Sequence, residues 1–253
     1  MATLWLRRLF TAEVAVFFLL LLLILGLFPT RAFNDPGALW HIRVGDIILT
    51  SGFPWTDPFT YTHADRLWIP QQWLGEIAMS LAYGFSGFDG LLLGFAVLIA
   101  AIWTGIYARL RDAGMGWPLA AAIMGLSLFV SSYHFYTRPH MATMALLAWT
   151  IVCIMDYDRH RVSLWRLAGL IPLFILWTNL HGGVLGGTVS LGMAVLGWLG
   201  MGLLAWVWGP TQSIAFARRP TPREALVLLG ILSACALAPL VNPFGLEMIR
   251  TWY

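Results

Sequence analysis

The chain contains no lysine and only two cysteines, and charged residues occupy just 11% of its 253 positions. An ordinary water-exposed surface carries about a quarter charged residues, so that surface cannot be built here. The same shortage excludes a disordered, collagen-like or coiled-coil chain. Cys153 and Cys235 lie inside apolar runs, so neither a disulfide nor a metal-binding cysteine pair is expected. No HExxH pair, Gly-rich phosphate loop, nucleophile elbow or dinucleotide fingerprint is present. What fills the chain instead is apolar: 59% of residues, with a mean hydropathy of +0.76. That composition describes an all-α polytopic membrane protein.

A helix needs about 20 apolar residues to cross roughly 30 Å of hydrocarbon. Apolar stretches of suitable character fall near residues 11–28, 89–107, 117–133, 141–155, 167–180, 184–207 and 225–240. They predict about seven transmembrane helices in one domain covering 1–253. The first follows Arg7 and Arg8 and reads as an uncleaved signal anchor. Arg109 and Arg111, then Arg159, Arg161 and Arg166, then Arg218, Arg219 and Arg223 fall in alternate connections, on the side of Arg7 and Arg8. The positive-inside rule places that side, and the N-terminus, in the cytoplasm of a bacterial inner membrane. Trp117, Trp165, Trp206 and Trp208 supply an indole belt there. Arginines in short loops between apolar spans read as orientation signals, so no nucleic-acid partner is expected.

The first outer loop, about 30–88, is the longest connection. Within it the stretch 71–86 carries Glu76 and is too short to cross, which predicts an amphipathic helix lying in the membrane interface. The remaining outer turns hold Tyr136-Thr137-Arg138-Pro139-His140, Asn179-Leu180-His181-Gly182-Gly183 and Val241-Asn242-Pro243-Phe244-Gly245. Four segments thus bring His, Arg, Asn and carboxylates to one membrane boundary, as a site does.

Each residue also has a plainer reading. Asp35 and Asp57 are general-base candidates, and each precedes a proline, where Asx turns form. Glu76 is a third candidate acid and needs a partner, which Arg43 or Arg66 would supply. His41, beside Trp40, holds substrate or anchors the interface. Gln72 belongs with the same loop as a binding residue. Arg138, followed by His140, is suited to gripping a phosphate, and equally to snorkelling. Asn179 and His181 precede Gly182, Gly183, Gly186 and Gly187, a series that admits close approach of a ligand or of a neighbouring helix. A Mg²⁺ or Mn²⁺ ion on Asp35 or Asp57 stays open without a specific motif.

The run from Asn34 to Tyr83, together with YTRPH, NLHGG and VNPFG, resembles a family of bacterial multi-pass proteins grouped with the GT-C glycosyltransferases. The resemblance runs through 1–253 in order and is densest over 34–83. It implies a GT-C-like fold and transfer of a sugar from a polyprenyl-phosphate donor at the outer membrane face. By that similarity Asp35 deprotonates the acceptor hydroxyl, while Arg138 with His140 or His181 stabilises the departing phosphate. Many relatives carry a second acidic residue shortly after the first, where this chain has Gly37. Such enzymes also run to more spans, so a fragment or a shortened form is expected. The alternative function is a non-catalytic accessory subunit packed among other membrane proteins. A transporter would show charged or broken helices at the midplane and an internal repeat, and the sequence has neither.

Overall fold

A computed structural model describes residues 11–208 and 218–250; Arg7, Arg8 and Thr251-Trp252-Tyr253 lie outside the described residues. Its principal helices are α1 (Ala12–Leu27), α2 (Gly37–Ser51), α3 (Trp73–Asp112), α4 (Trp117–Ser131), α5 (His140–Asp158), α6 (Leu170–Leu180), α7 (Val184–Trp208) and α8 (Pro222–Leu237). Among the described residues there is no strand, only an isolated antiparallel bridge between Thr56 and Leu67.

Among the described residues four helices are long and apolar enough to cross a membrane: Trp73–Asp112, His140–Asp158, Val184–Val207 and Pro222–Leu240. The other expected crossings are shorter. The 16 residues of α1 rise about 24 Å at roughly 1.5 Å each, and α4 has 15 residues. Leu164–Leu180 is also a shorter apolar helical stretch.

The helix expected at 71–86 is present, but it runs on into the next apolar stretch. Ser86 (φ −154°, ψ 32°) and Gly87 (φ 59°, ψ −142°) break α3 into segments 73–85 and 88–112. A left-handed φ is open to glycine without steric cost, so Gly87 is where the chain turns. The loop expected over 30–88 is therefore largely helical. Within α2, Ala38, Val44, Gly45 and Ile48 are buried, with Ile42 half-buried, a spacing near i, i+4, i+7 that marks one packed helix face.

The chain divides into two compact units, one of Met1–Asp46 with Glu76–Met141, the other of Ile47–Gly75 with Ala142–Tyr253. In the first, Phe135 is fully buried and meets Phe28, Phe95 and Trp103 at ring-centroid distances of 5.9, 6.3 and 5.2 Å. This aromatic knot fixes the turn after α4. In the second, α6, α7 and α8 enclose a core that includes Phe174, Trp177, Leu191, Val195, Leu228 and Ile231. Both cysteines are free and buried. The far end of that unit is tied by Arg218, whose guanidinium carbon lies 3.5 Å from the Tyr157 ring centroid while Nη1 donates to the Tyr157 carbonyl at 2.7 Å. Thr221 and Glu224 close a capping box on α8.

Gly187 and Gly186 separate two meanings of glycine on α7. A methyl group at Gly187 would enter the Trp177 indole and the Phe174 ring, whereas one at Gly186 meets nothing within 4 Å. Overpacking of a rigid core costs about 1–3 kcal/mol. Gly187→Ala is expected to lower the thermal midpoint in detergent, and Gly186→Ala to leave it unchanged or raise it through helix propensity.

Candidate functional site

The polar residues singled out in the sequence fall into two groups, one in each unit. In the first, α1 ends at Leu27 and a turn, Pro29–Ala32, buries Ala32 completely. The Ala32 carbonyl accepts from both the backbone N–H (3.0 Å) and the hydroxyl (2.9 Å) of Thr137. That double bond pins the turn carrying Arg138 beside Asp35. Arg138 then grips the Asp35 carboxylate with two donors, Nε to Oδ2 and Nη2 to Oδ1, the latter at 2.6 Å. The Gly37 N–H also donates to Asp35 Oδ1 at 3.1 Å. Both readings of Asp35 therefore hold in part: it turns the chain into α2, and it is paired with a cation.

The Arg138 hydrogen bonds hold the Asp35 carboxyl below the usual carboxylate range, opposed by partial burial and assisted by the Gly37 N–H. The Asp35 side chain is 15% exposed and Arg138 44%. Gly37 is what admits the guanidinium, since a Cβ there would collide with Arg138 Nη2 and Nε.

A second carboxylate contact lies one turn along α2. His41 Nδ1 is 3.0 Å from Glu76 Oε1, with side chains only 12% and 5% exposed. Neither Arg43 nor Arg66 partners Glu76: Arg43 pairs with Asp46 on α2 itself. The reason is helical geometry, because Arg43 stands two residues, about 200°, round the helix from His41. The close approach behind the His41 contact comes from Gly45, four residues on along the same face, where a Cβ would strike the Glu76 backbone carbonyl. Among the described residues, Glu76 Oε2 is buried with no hydrogen-bond partner. His140 completes this group, its Nε2 2.8 Å from the His134 carbonyl, which can only accept.

In the second unit the polar residues are bound into the structure. Asp57 Oδ1 accepts from the N–H groups of Phe59 (2.8 Å) and Thr60 (3.2 Å), and Oδ2 accepts from the Thr60 hydroxyl. These bonds, led by Thr60, hold its carboxyl below the usual range, so here the turn reading describes the residue. Gln72 is half-buried in the turn ahead of α3. Asn179, 7% exposed, donates to the Ile175 and Val241 carbonyls at 2.8 and 2.9 Å and accepts from Trp73 Nε1 at 2.7 Å.

His181 ends a relay in which Trp177 Nε1 donates to Thr143 Oγ1 at 2.8 Å and Thr143 Oγ1 contacts His181 Nδ1 at 2.9 Å. The Gly183 N–H also donates to His181 Nδ1, at 2.9 Å. An imidazole nitrogen that accepts carries no proton, so the neutral ring is protonated at Nε2. Gly183 is needed for this geometry, because a Cβ there would strike Thr143. Thr143, which does this positioning, carried no motif in the sequence, and Thr137 and Trp73 lay inside singled-out segments without a role of their own. Thr143 stands one turn into α5 from His140, and only that position pointed to it.

Among the described residues no group of three or more His, Cys, Asp or Glu is placed to hold a metal ion. Asp35 is committed to Arg138, and Asp57 to its turn. In comparisons with known proteins, no family model, no curated protein and no solved structure matches the chain.

The Asp35–Arg138 pair has a signed pH dependence. A carboxyl whose pKa is depressed on folding adds stability that is full above its unfolded value, about 4, and is lost as pH falls through the folded value. Relative to Asp35→Asn, the native chain is expected to be about 1 kcal/mol more stable at neutral pH, a figure discounted for the exposure of Arg138. Detergent unfolding followed from pH 7 down to 3 is expected to show that margin shrinking below about pH 4.

Proposed function

We propose that the protein is a membrane glycosyltransferase that takes a sugar from a polyprenyl-phosphate donor. The observation that carries this reading is the paired constellation of the first unit. In a chain with so little charge, Asp35, Arg138, His41 and Glu76 are gathered by α2, the first segment of α3 and the turn after α4. Such a set supplies what transfer from a lipid phosphate requires, a cation for the departing phosphate and a group to take the acceptor's proton. The GT-C resemblance of the sequence supports the same reading, with the seven-span topology and the site at the outer face of a bacterial inner membrane.

Within this reading, Asp35 holds Arg138 in a two-point grip, leaving Nη1 to donate to a phosphate oxygen. A preorganised arginine stabilises developing phosphate charge without reorganising at the moment of reaction.

Two measurements test the reading. Native mass spectrometry of gently extracted protein is expected to retain a polyprenyl-phosphate species on the chain. A fixed-ratio complex with other membrane proteins and no such lipid would favour the accessory subunit instead. With a radiolabelled hexose on a polyprenyl phosphate, Arg138→Ala is expected to cut release of the lipid phosphate by about 10²- to 10³-fold, the scale of losing one charge-stabilising donor. Release unchanged in both Asp35→Ala and Arg138→Ala would sink this site.

A further inference from the structure

The transferase reading leaves open which group takes the acceptor's proton. Asp35 is poorly suited to it. Both its oxygens are occupied by the Arg138 guanidinium, and a third donor arrives from Gly37. A carboxylate stabilised by that many donors gives up much of its basicity.

The neighbouring pair has the opposite character. Glu76 Oε1 meets His41 Nδ1 at 3.0 Å, and a carboxylate oxygen accepts, so the ring proton sits on Nδ1 and the lone pair on Nε2. His41 makes no other hydrogen bond among the described residues, and Nε2 is not among their buried, unpartnered polar atoms. The His41 side chain keeps 12% of its surface exposed. Behind it, Glu76 is 4% exposed and its Oε2 is buried with no partner among the described residues. A buried carboxylate short of donors is complemented by positive charge formed on a ring beside it.

We propose that His41 is the general base of this site and that Glu76 is the positioning residue that fixes its tautomer and stabilises its charged form. The proposal rests on the transferase reading. The acceptor's hydroxyl oxygen attacks the anomeric carbon, forming the new glycosidic bond. The bond from that carbon to the phosphate oxygen breaks, and its electron pair leaves on polyprenyl phosphate beside Arg138. The hydroxyl proton passes to His41 Nε2, and the imidazolium so formed is balanced by Glu76 until it releases the proton to water. Gly45 is part of the device, because its missing side chain lets α2 approach the backbone at Glu76 closely.

The experiment uses the full chain in lipid nanodiscs with the radiolabelled polyprenyl-phosphate hexose and a membrane extract as the source of acceptor. His41→Gln is expected to lower the transfer rate by about 10²- to 10⁴-fold, the range of general-base catalysis. His41→Ala is expected to lose as much and to recover in part on adding imidazole, a rescue that repair of packing does not give. Glu76→Gln is expected to lower kcat with KM within about twofold, because it disturbs the ring and leaves the donor's contacts in place. Nitrogen NMR of ring-labelled histidine, assigned by His41→Gln, is expected to show the His41 proton on Nδ1 in the native chain, independently of any activity. A proton on Nε2, or full activity in His41→Gln, would overturn the assignment. Absence of transfer by the native chain, with the ring proton still on Nδ1, would overturn the transferase reading and this catalytic step with it, while the dyad geometry stood.

Discussion

A carboxylate carried into apolar helix packing is costly unless a partner meets it, and that constraint organises the first unit. Glu76 sits one turn inside α3, almost fully buried, where an isolated charge would be strongly disfavoured. His41 meets it only because α2 is a helix, because Gly45 brings that helix against the Glu76 backbone, and because the turn after Asp35 starts the helix in the right phase. Asp35 is held in turn by Arg138, and Arg138 by the Thr137–Ala32 bonds and the Phe135 aromatic knot. Structure and chemistry in this unit share the same few contacts.

The second unit handles its polar groups differently. Asn179 satisfies two carbonyls and an indole, and Asp57 is consumed by its own turn. Saturated residues of this kind hold segments in place and have little left for a ligand. The contrast between saturated and unsaturated polar groups separates scaffold from candidate chemistry better than residue type does. Glu76, with one oxygen unpartnered, and Asn179, with its donors and acceptor engaged, are both buried polar residues in apolar surroundings.

Much of the helical architecture was legible in the sequence. The apolar stretches near 89–107, 141–155, 184–207 and 225–240 correspond to the four helices long enough to cross a membrane. The short helix expected at 71–86 ends at the Ser86–Gly87 break. What escaped was α2. Its apolar stripe is interrupted by Trp40, His41, Arg43 and Asp46, so the segment read as loop. Without that helix, Glu76 was matched to the nearest arginines by charge. The true partner is set by helical phase, which charge matching cannot supply. The Asp35–Arg138 contact spans 103 residues, and no local pattern encodes a pairing of that separation. Both residues were nevertheless conspicuous, as rare charges at the ends of apolar runs.

The two glycines of α2 show how the absence of a side chain sets the electrostatics. At position 37 the resemblance leads one to expect an acid, and a second carboxylate there would have competed with Asp35 for a single guanidinium. Glycine instead supplies the space that the Arg138 fork occupies and an N–H for Asp35 Oδ1. Asp35 and Arg138 are thereby left as a matched pair. A matched pair orients a cation well and is a weak base. With the carboxylate so committed, the proposed proton acceptor is His41, and the carboxylate that meets it stands on a different helix. In that proposal the oriented cation and the proton acceptor are separate, so each can be tuned without spoiling the other. One carboxylate is stabilised by donors until it is inert, and the other is buried with too few of them.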